Sequence, residues 1–273
     1  MNTWAKGGLA VAVLGGAAAL YTYMQKESPP ADPPAVAVAP PPAPAPAETP
    51  VEAPHYPITP PLDAAPATPD AGPVDSDAVM RNALAGLFGP SLDKYFNLTD
   101  IVRRIVVTID NLPREKVARR LMPVKPVPGA LATAGSADAL MIDAANDARY
   151  DVYVQLADMV PTARLVDLYM RHYALFQQQY VELGYPNGYF NNRLVEVIDH
   201  LLATPVVPAP IRLKQPKVLY TFADPELEKL SEGQKIMLRM GDRNAERIRA
   251  RLADIRAAVT RQPQGEPGRV ELR

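Results

Sequence analysis

Apolar positions along the second half of the chain recur mostly at helical spacing. Ala245, Ile248, Leu252, Ile255 and Val259 follow a 3-4-3-4 rhythm, the clearest amphipathic stripe present. Ile101, Ile105, Ile109 and Leu112 lie on one stripe, so Thr99–Leu112 is expected to be helical despite its β-branched residues, with Pro113 as its stop. Leu165, Leu168, Tyr169, His172, Phe176, Tyr180 and Leu183 trace a third face. Pro161 in a first turn and Gly184 as a C-terminal stop make that face one continuous helix.

Weaker signals fill the intervals. Ser76 and Asp77 are expected to cap a helix through Phe88, stopped by Gly89-Pro90. Residues 123–129 are too rich in proline for a regular element, and Leu131–Asp143 around Gly135-Ser136 predicts a small hairpin. Tyr185-Pro-Asn-Gly188 reads as a turn, with an amphipathic helix over Phe190–Ala203 after it. Ile211–Phe222, broken by Pro216, reads as extended or irregular. Asp224–Leu230 and Glu232–Met240 read as short helices, the second ended by Gly241 as a C-cap. The pattern predicts a mainly α fold. It is one compact helical domain over residues 76–261 with a small irregular or β-hairpin element, followed by a flexible tail at 262–273.

The first 75 residues obey a different rule. Gly7–Gln25 is uncharged, between Lys6 and Lys26, and its length suits a single transmembrane helix. Tyr21 and Tyr23 beside Lys26 resemble an interfacial belt. The rival is a cleaved signal peptide at Ala17-Ala18-Ala19, but no helix-breaking residue precedes that triplet. Lys6 favours a cytoplasmic start, so residues 1–27 are expected to be a cytoplasmic tip and signal-anchor in the inner membrane, with the domain in the periplasm. Gly8, Ala12 and Gly16 form a small-xxx-small face on which two anchors can pair as a homodimer. Residues 28–75 are expected to be a disordered Pro/Ala-rich spacer, since proline lacks the amide donor a helix needs. Its contour in polyproline II would be on the order of 150 Å. Tyr56 and His55 stand out within it and receive no role from the pattern.

Charge sharpens this division. Ser28–Asp77 carries seven acids and no base, whereas residues 78–273 hold 27 bases and 22 acids, a net +5. That balance suits an anionic partner and is too modest for nucleic acid. The absence of cysteine excludes disulfides, a lipoprotein anchor and Cys-based zinc sites.

Three stretches are long enough to be distinctive: VVTIDNLPREKV over 106–117, ELGYPNGYFNNRLVEVIDHLLATP over 182–205, and QPKVLYTFADPELEKLSEGQKIMLRMG over 215–241. Together they resemble an uncharacterised bacterial family defined only as a domain of unknown function, whose members pair an N-terminal membrane segment with a Pro-rich linker. The resemblance covers most of the chain from about Asp77 to Val259. It implies that architecture and an envelope location, and it carries over no activity, cofactor or catalytic residue.

Candidate chemistry concentrates in Tyr185–His200. Arg193, Glu196 and His200 fall at i, i+3 and i+7 of the expected helix, with Asn192 and Asp199 beside them. Glu196 and His200 have the spacing of a metal-ligand pair or an acid/base dyad, but a metal needs a further ligand and His172 is the only other histidine after residue 77. The same spacing makes a solvated Arg–Glu–His ladder. Tyr150, Tyr153, Tyr169, Tyr173, Tyr180, Tyr185 and Tyr189, with Asn187, Asn191 and Asn192, offer either a groove for a peptide or glycan or half-buried core. Basic residues cluster at Arg103–Lys125, including Arg119 and Arg120, and at Arg243–Arg256; each reads as an anionic-partner surface or a solvated face. Ser91-Leu-Asp-Lys94 matches S-x-x-K, but neither S-D-N nor K-T-G follows. No H-E-x-x-H, G-x-S-x-G, Walker loop or dinucleotide fingerprint occurs.

The sequence therefore points to a membrane-tethered, non-catalytic binding or scaffolding module. The expected surface is Tyr185, Asn187, Tyr189, Asn191, Arg193, Arg119 and Arg120; the expected partner is an envelope protein or cell-wall polymer, with no cofactor or metal. The alternative is an envelope hydrolase or metal-dependent enzyme using Glu196, Asp199 and His200.

Overall fold

Asp75, not Ser76 or Asp77, caps the first helix: its carboxylate accepts from Ala78 N at 3.1 Å, and α1 runs Ser76–Phe88. Asp77 is used elsewhere, accepting the amides of Asp100 (2.6 Å) and Ile101 (3.0 Å) at the start of α3 (Ile101–Asn111). A short α2 (Ser91–Tyr95) lies between them. This computed structural model describes residues 53–58 and 75–261, all within the unit Thr49–Arg273. The expected anchor, the rest of the spacer and the tail lie outside the described residues. Among the described residues, no helix is long and apolar enough to cross a membrane.

The expected hairpin forms as β1 (Thr133–Ala134) antiparallel to β2 (Met141–Ile142). Next comes a helix that the apolar pattern does not reveal, α4 (Ala145–Met159), which buries only Asn146, Val154 and Leu156. Its weak apolar face is supplemented from the last helix, α10 (Asp242–Val259). Arg243 grips Asp151 with two bonds of 2.8 and 3.0 Å, and Arg247 pairs with Asp158.

The single helix expected across 161–184 is two: α5 (Thr162–Arg171) and α6 (Tyr173–Glu182), broken at His172 with φ −107 and ψ 15. No glycine or proline stands at the break. It lets α6 pack on α3 while α5 packs on α10 and α1. Helix α7 (Phe190–Leu202) follows the Tyr185–Gly188 turn, which is closed by Gly188 N donating to Tyr185 O at 3.1 Å.

Ile211–Phe222 is a second hairpin, β3 (Leu213–Lys214) with β4 (Thr221–Phe222), and Ile142 N and Leu213 N tie it to the first. α8 (Pro225–Glu228) and α9 (Glu232–Arg239) complete the order, α9 starting on a capping box of Ser231 and Gln234. Gly241 is the N-cap of α10 at φ 82 and not the C-cap of α9, a role taken by Met240. The fold is mainly α, with ten helices and two small antiparallel hairpins among the described residues.

The principal core joins Met80, Leu84, Ile101, Val106, Leu168, Phe176, Tyr180 and Phe190. Phe176 and Phe190 stack at 6.1 Å between centroids, and Tyr180 stacks on Tyr185 at 4.5 Å. Most of the tyrosine set therefore builds this core, and Tyr185 and Tyr189 lie at its edge, half-buried. A smaller core of Ile211, Leu213, Phe222 and Leu238 sits under the hairpins.

Candidate functional site

The start of α7 is capped by its neighbour. Gln177 Oε1 on α6 accepts from Phe190 N at 2.8 Å, and the Tyr173 hydroxyl accepts from Asn191 N at 3.2 Å. Gln177 also donates to Gly188 O at 2.7 Å. Two of the helix's orphan amides are thus satisfied from α6. The side chains of Asn191 and Asn192 are left to bond elsewhere.

They bond to residues 53–58, inside the stretch expected to be a solvated spacer. Asn192 Oδ1 accepts from His55 N (2.9 Å) and Tyr56 N (3.2 Å), and Asn192 Nδ2 donates to Ala53 O (3.0 Å). Asn191 Nδ2 donates to Tyr56 O (2.8 Å) and Val259 O (3.1 Å). The Tyr189 hydroxyl accepts from Ile58 N at 2.8 Å. Asn191 is fully buried, and Tyr169 donates its hydroxyl to Asn191 Oδ1 at 3.1 Å. Burial holds the Tyr169 phenol well above its ordinary pKa, which keeps it a donor. Tyr56 packs with the cluster of Val166, Val195 and Val259, and Ile58 packs against the principal core.

A second node lies one turn away and centres on Asp110, which is 2% exposed. Its Oδ1 accepts from Arg193 Nε at 3.1 Å, and its Oδ2 from Arg114 Nη2 at 2.5 Å and from the Tyr185 hydroxyl at 3.3 Å. Arg193 also donates to Asp110 O and to Glu196. Burial works against the Arg193 charge, but Glu196 and Asp110 overcome it and raise its pKa. Asp110 thus ties Tyr185 and Arg193 together. The helical pattern placed it only as one more position in α3, and nothing in the sequence marked its burial.

The residues of the enzyme alternative do not converge. Glu196 pairs with Arg193, Asp199 with Arg256 on α10, and His200 Nε2 meets Ser231 Oγ at 2.8 Å beside α9. Among the described residues no group of three or more His, Cys, Asp or Glu side chains is placed to hold a metal. His172 sits half-buried at the α5–α6 break, where burial lowers its pKa.

Arg119 and Arg120 occupy a separate neighbourhood, a 3-10 turn over Arg119–Leu121. Arg119 faces Glu232 at 3.6 Å, and Arg120 O accepts from Arg104 at 2.6 Å. Asn187, in the turn, is half-buried. The α10 arginines are engaged internally: besides Arg243, Arg247 and Arg256, Arg251 bonds Thr162 Oγ1 and Val160 O, and Arg249 bonds Thr204 O. They staple α10 to α4, α5 and α7. The pattern gave Tyr56 and His55 no role, although Tyr56 is the one aromatic residue between Ser28 and Asp75 and prolines stand at 54 and 57.

Residues 101–256 match the family described as "protein of unknown function (DUF3014)", and the chain belongs to that family. No curated protein and no solved structure matches it.

Proposed function

We propose that this protein is a membrane-tethered binding or scaffolding module of the bacterial envelope, without catalytic activity, whose contact surface is the start of α7. The observation that carries the reading is the division of polar groups along that helix. The carboxylates and histidine that catalysis would need are each turned to a separate structural partner. The carboxamides of Asn191 and Asn192 and the Tyr189 phenol at the start of the helix instead bond main-chain atoms of residues 53–58, on a helix start fixed by α6. Tethering in the inner membrane rests on the uncharged run Gly7–Gln25 and the acidic spacer after it. The partner in this reading is an envelope protein or cell-wall polymer.

The test is site-specific photo-crosslinking in living cells, with the crosslinker at Asn187 of the full-length chain. A discrete adduct to a protein or to cell-wall polymer is expected. A folded, correctly expressed chain that gives no adduct overturns the scaffold reading.

A further inference from the structure

Residues 53–58 are held in an unusual way. They belong to no helix or strand, yet five of their main-chain groups are hydrogen-bonded, all five to side chains at the start of α7. Pro54 and Pro57 have no amide hydrogen, so the segment 54–58 has three N–H groups, on His55, Tyr56 and Ile58. All three donate to side chains at the start of α7: two to Asn192 Oδ1 and one to the hydroxyl of Tyr189, the N-cap residue. Two carbonyls, of Ala53 and Tyr56, accept from Asn192 and Asn191. A carboxamide presents an acceptor and a donor side by side, as a peptide group does, and so reads the backbone of an extended chain much as a neighbouring strand would.

The side chains supply the selectivity. Tyr56 and Ile58, two apart, point inward in the alternation of an extended segment, while Pro54, His55 and Pro57 are exposed. Tyr56 enters a pocket walled by α5, α7 and α10, through Val166, Val195 and Val259, and its hydroxyl lies beside Arg256. The prolines restrict the free segment to extended forms, which lowers the ordering entropy of docking.

We propose that the Tyr189–Asn191–Asn192 cleft is a peptide-recognition site. Its ligand class is an extended, proline-bracketed tyrosine segment with an aliphatic residue two positions on, and Ala53–Ile58 is its resident ligand, held in cis. The proposal rests on the binding-module reading and names what that surface takes. Tyr189, Asn191 and Asn192 lie within the family-matched residues 101–256, and the ligand segment lies outside them. Sixteen residues separate Ile58 from Asp75, a length that permits docking and release without disturbing α1. Tethering gives the segment an effective concentration on the order of millimolar, enough to occupy even a modest site. Docking also moves the point at which the chain joins the domain from Asp75 back to Ala53, which shortens the spacer by 22 residues.

The test uses the full chain with its own segment released by Tyr56→Ala and Ile58→Ala. A fluorescein-labelled synthetic peptide of residues 51–60 is titrated in trans and followed by anisotropy. The released chain is expected to bind it, and the unaltered chain to bind at least 10-fold more weakly because the resident segment competes. Adding Asn192→Asp to the released chain keeps the acceptor, removes the donor to Ala53 O, and places an anion at a helix N-terminus, where it favours the helix. That variant is expected to lose at least 10-fold in peptide affinity with its thermal midpoint held. Absence of peptide binding to a folded released chain, or binding indifferent to Asn192→Asp, overturns the proposal.

Hydrogen exchange of the unaltered chain covers the case in which the released variant does not fold. The Tyr56 and Ile58 amides are expected to exchange faster than those of Val195 and Val197 in α7. Exchange only at the global rate would make the segment an integral part of the fold and also overturn the proposal. Peptide binding without an in-cell adduct at Asn187 keeps the site and removes the scaffold reading; an adduct without peptide binding does the reverse.

Discussion

The two ends of α7 carry equally polar side chains and use them in opposite ways. At its start, the uncharged groups of Tyr189, Asn191 and Asn192 reach main-chain atoms 131 to 139 residues away in sequence. Toward its end, Glu196, Asp199 and His200 pair with single side chains on α7, on α10 and beside α9. The physical difference lies in the type of group. A carboxamide is buried at the cost of a dipole and both donates and accepts, so it can satisfy an extended backbone in a dry cleft. A carboxylate needs a cation or remains in water, and Glu196 and Asp199 stay exposed beside arginines. Helical spacing does not separate the two ends; the chemistry of the side chains does.

The largest test strikes the frame that supports the start of the helix. Asp110→Ala leaves the Arg193 guanidinium, 19% exposed, without its buried partner, and is expected to cost about 3–5 kcal/mol in urea unfolding. At the far end, Gly241 sets the turn that brings α10 back to Asp199. It has φ 82, and an added Cβ would lie 1.9 Å from Asp147 Oδ1. Gly241→Ala is expected to cost about 2–3 kcal/mol by the same measurement. Asn191→Ala removes bonds to Tyr56 O, Val259 O and Tyr169 together, and about 2 kcal/mol is expected, with protection lost at the Tyr56 amide.

A smaller effect concerns pH. Burial depresses the His172 pKa below its ordinary value near 6.5, so the neutral ring is the folded form. Its contribution is fully present above that unfolded value and is lost as pH falls toward the folded pKa. His172→Gln is expected to flatten the fall in urea midpoint between pH 7.5 and 5.5. The smallest effect is Glu196→Gln, an exposed ion-pair partner, for which a change within about 0.5 kcal/mol is expected. A loss as large as that of Asn191→Ala would erase the contrast between the two ends of α7.

Much of the helical scaffold was legible because it rests on apolar periodicity. α3, α7 and α10 each carry a stripe that one face of a helix must bury, and the Tyr185-Pro-Asn-Gly188 turn follows from the conformational habits of its own residues. α4 was not legible, since its own apolar face is weak and the partner it packs and pairs with, α10 with Arg243 and Arg247, lies about 90 residues later. The break at His172 was hidden for a similar reason: the apolar rhythm runs through it, and only packing against α3 turns the second half aside. Of the candidate site, Tyr185, Asn191 and Arg193 were visible as a dense polar run. Asp110 was not, because burial of one acid in an otherwise apolar helix leaves no local trace.

The sequence by itself determined that α3, α7 and α10 are helices, the turn before α7, the change from an acidic proline-rich stretch to a mildly basic domain, and the family to which that domain belongs. Those properties depend on neighbours within a turn or two, or on composition. Tertiary structure alone decided which polar groups meet. It set the α10 arginines against α4, α5 and α7, gathered Arg114, Tyr185 and Arg193 around Asp110, and seated Ala53–Ile58 on Asn191 and Asn192. Hydrogen bonds and ion pairs act over about 3 Å. Groups more than a hundred residues apart come within that range only after the core has packed.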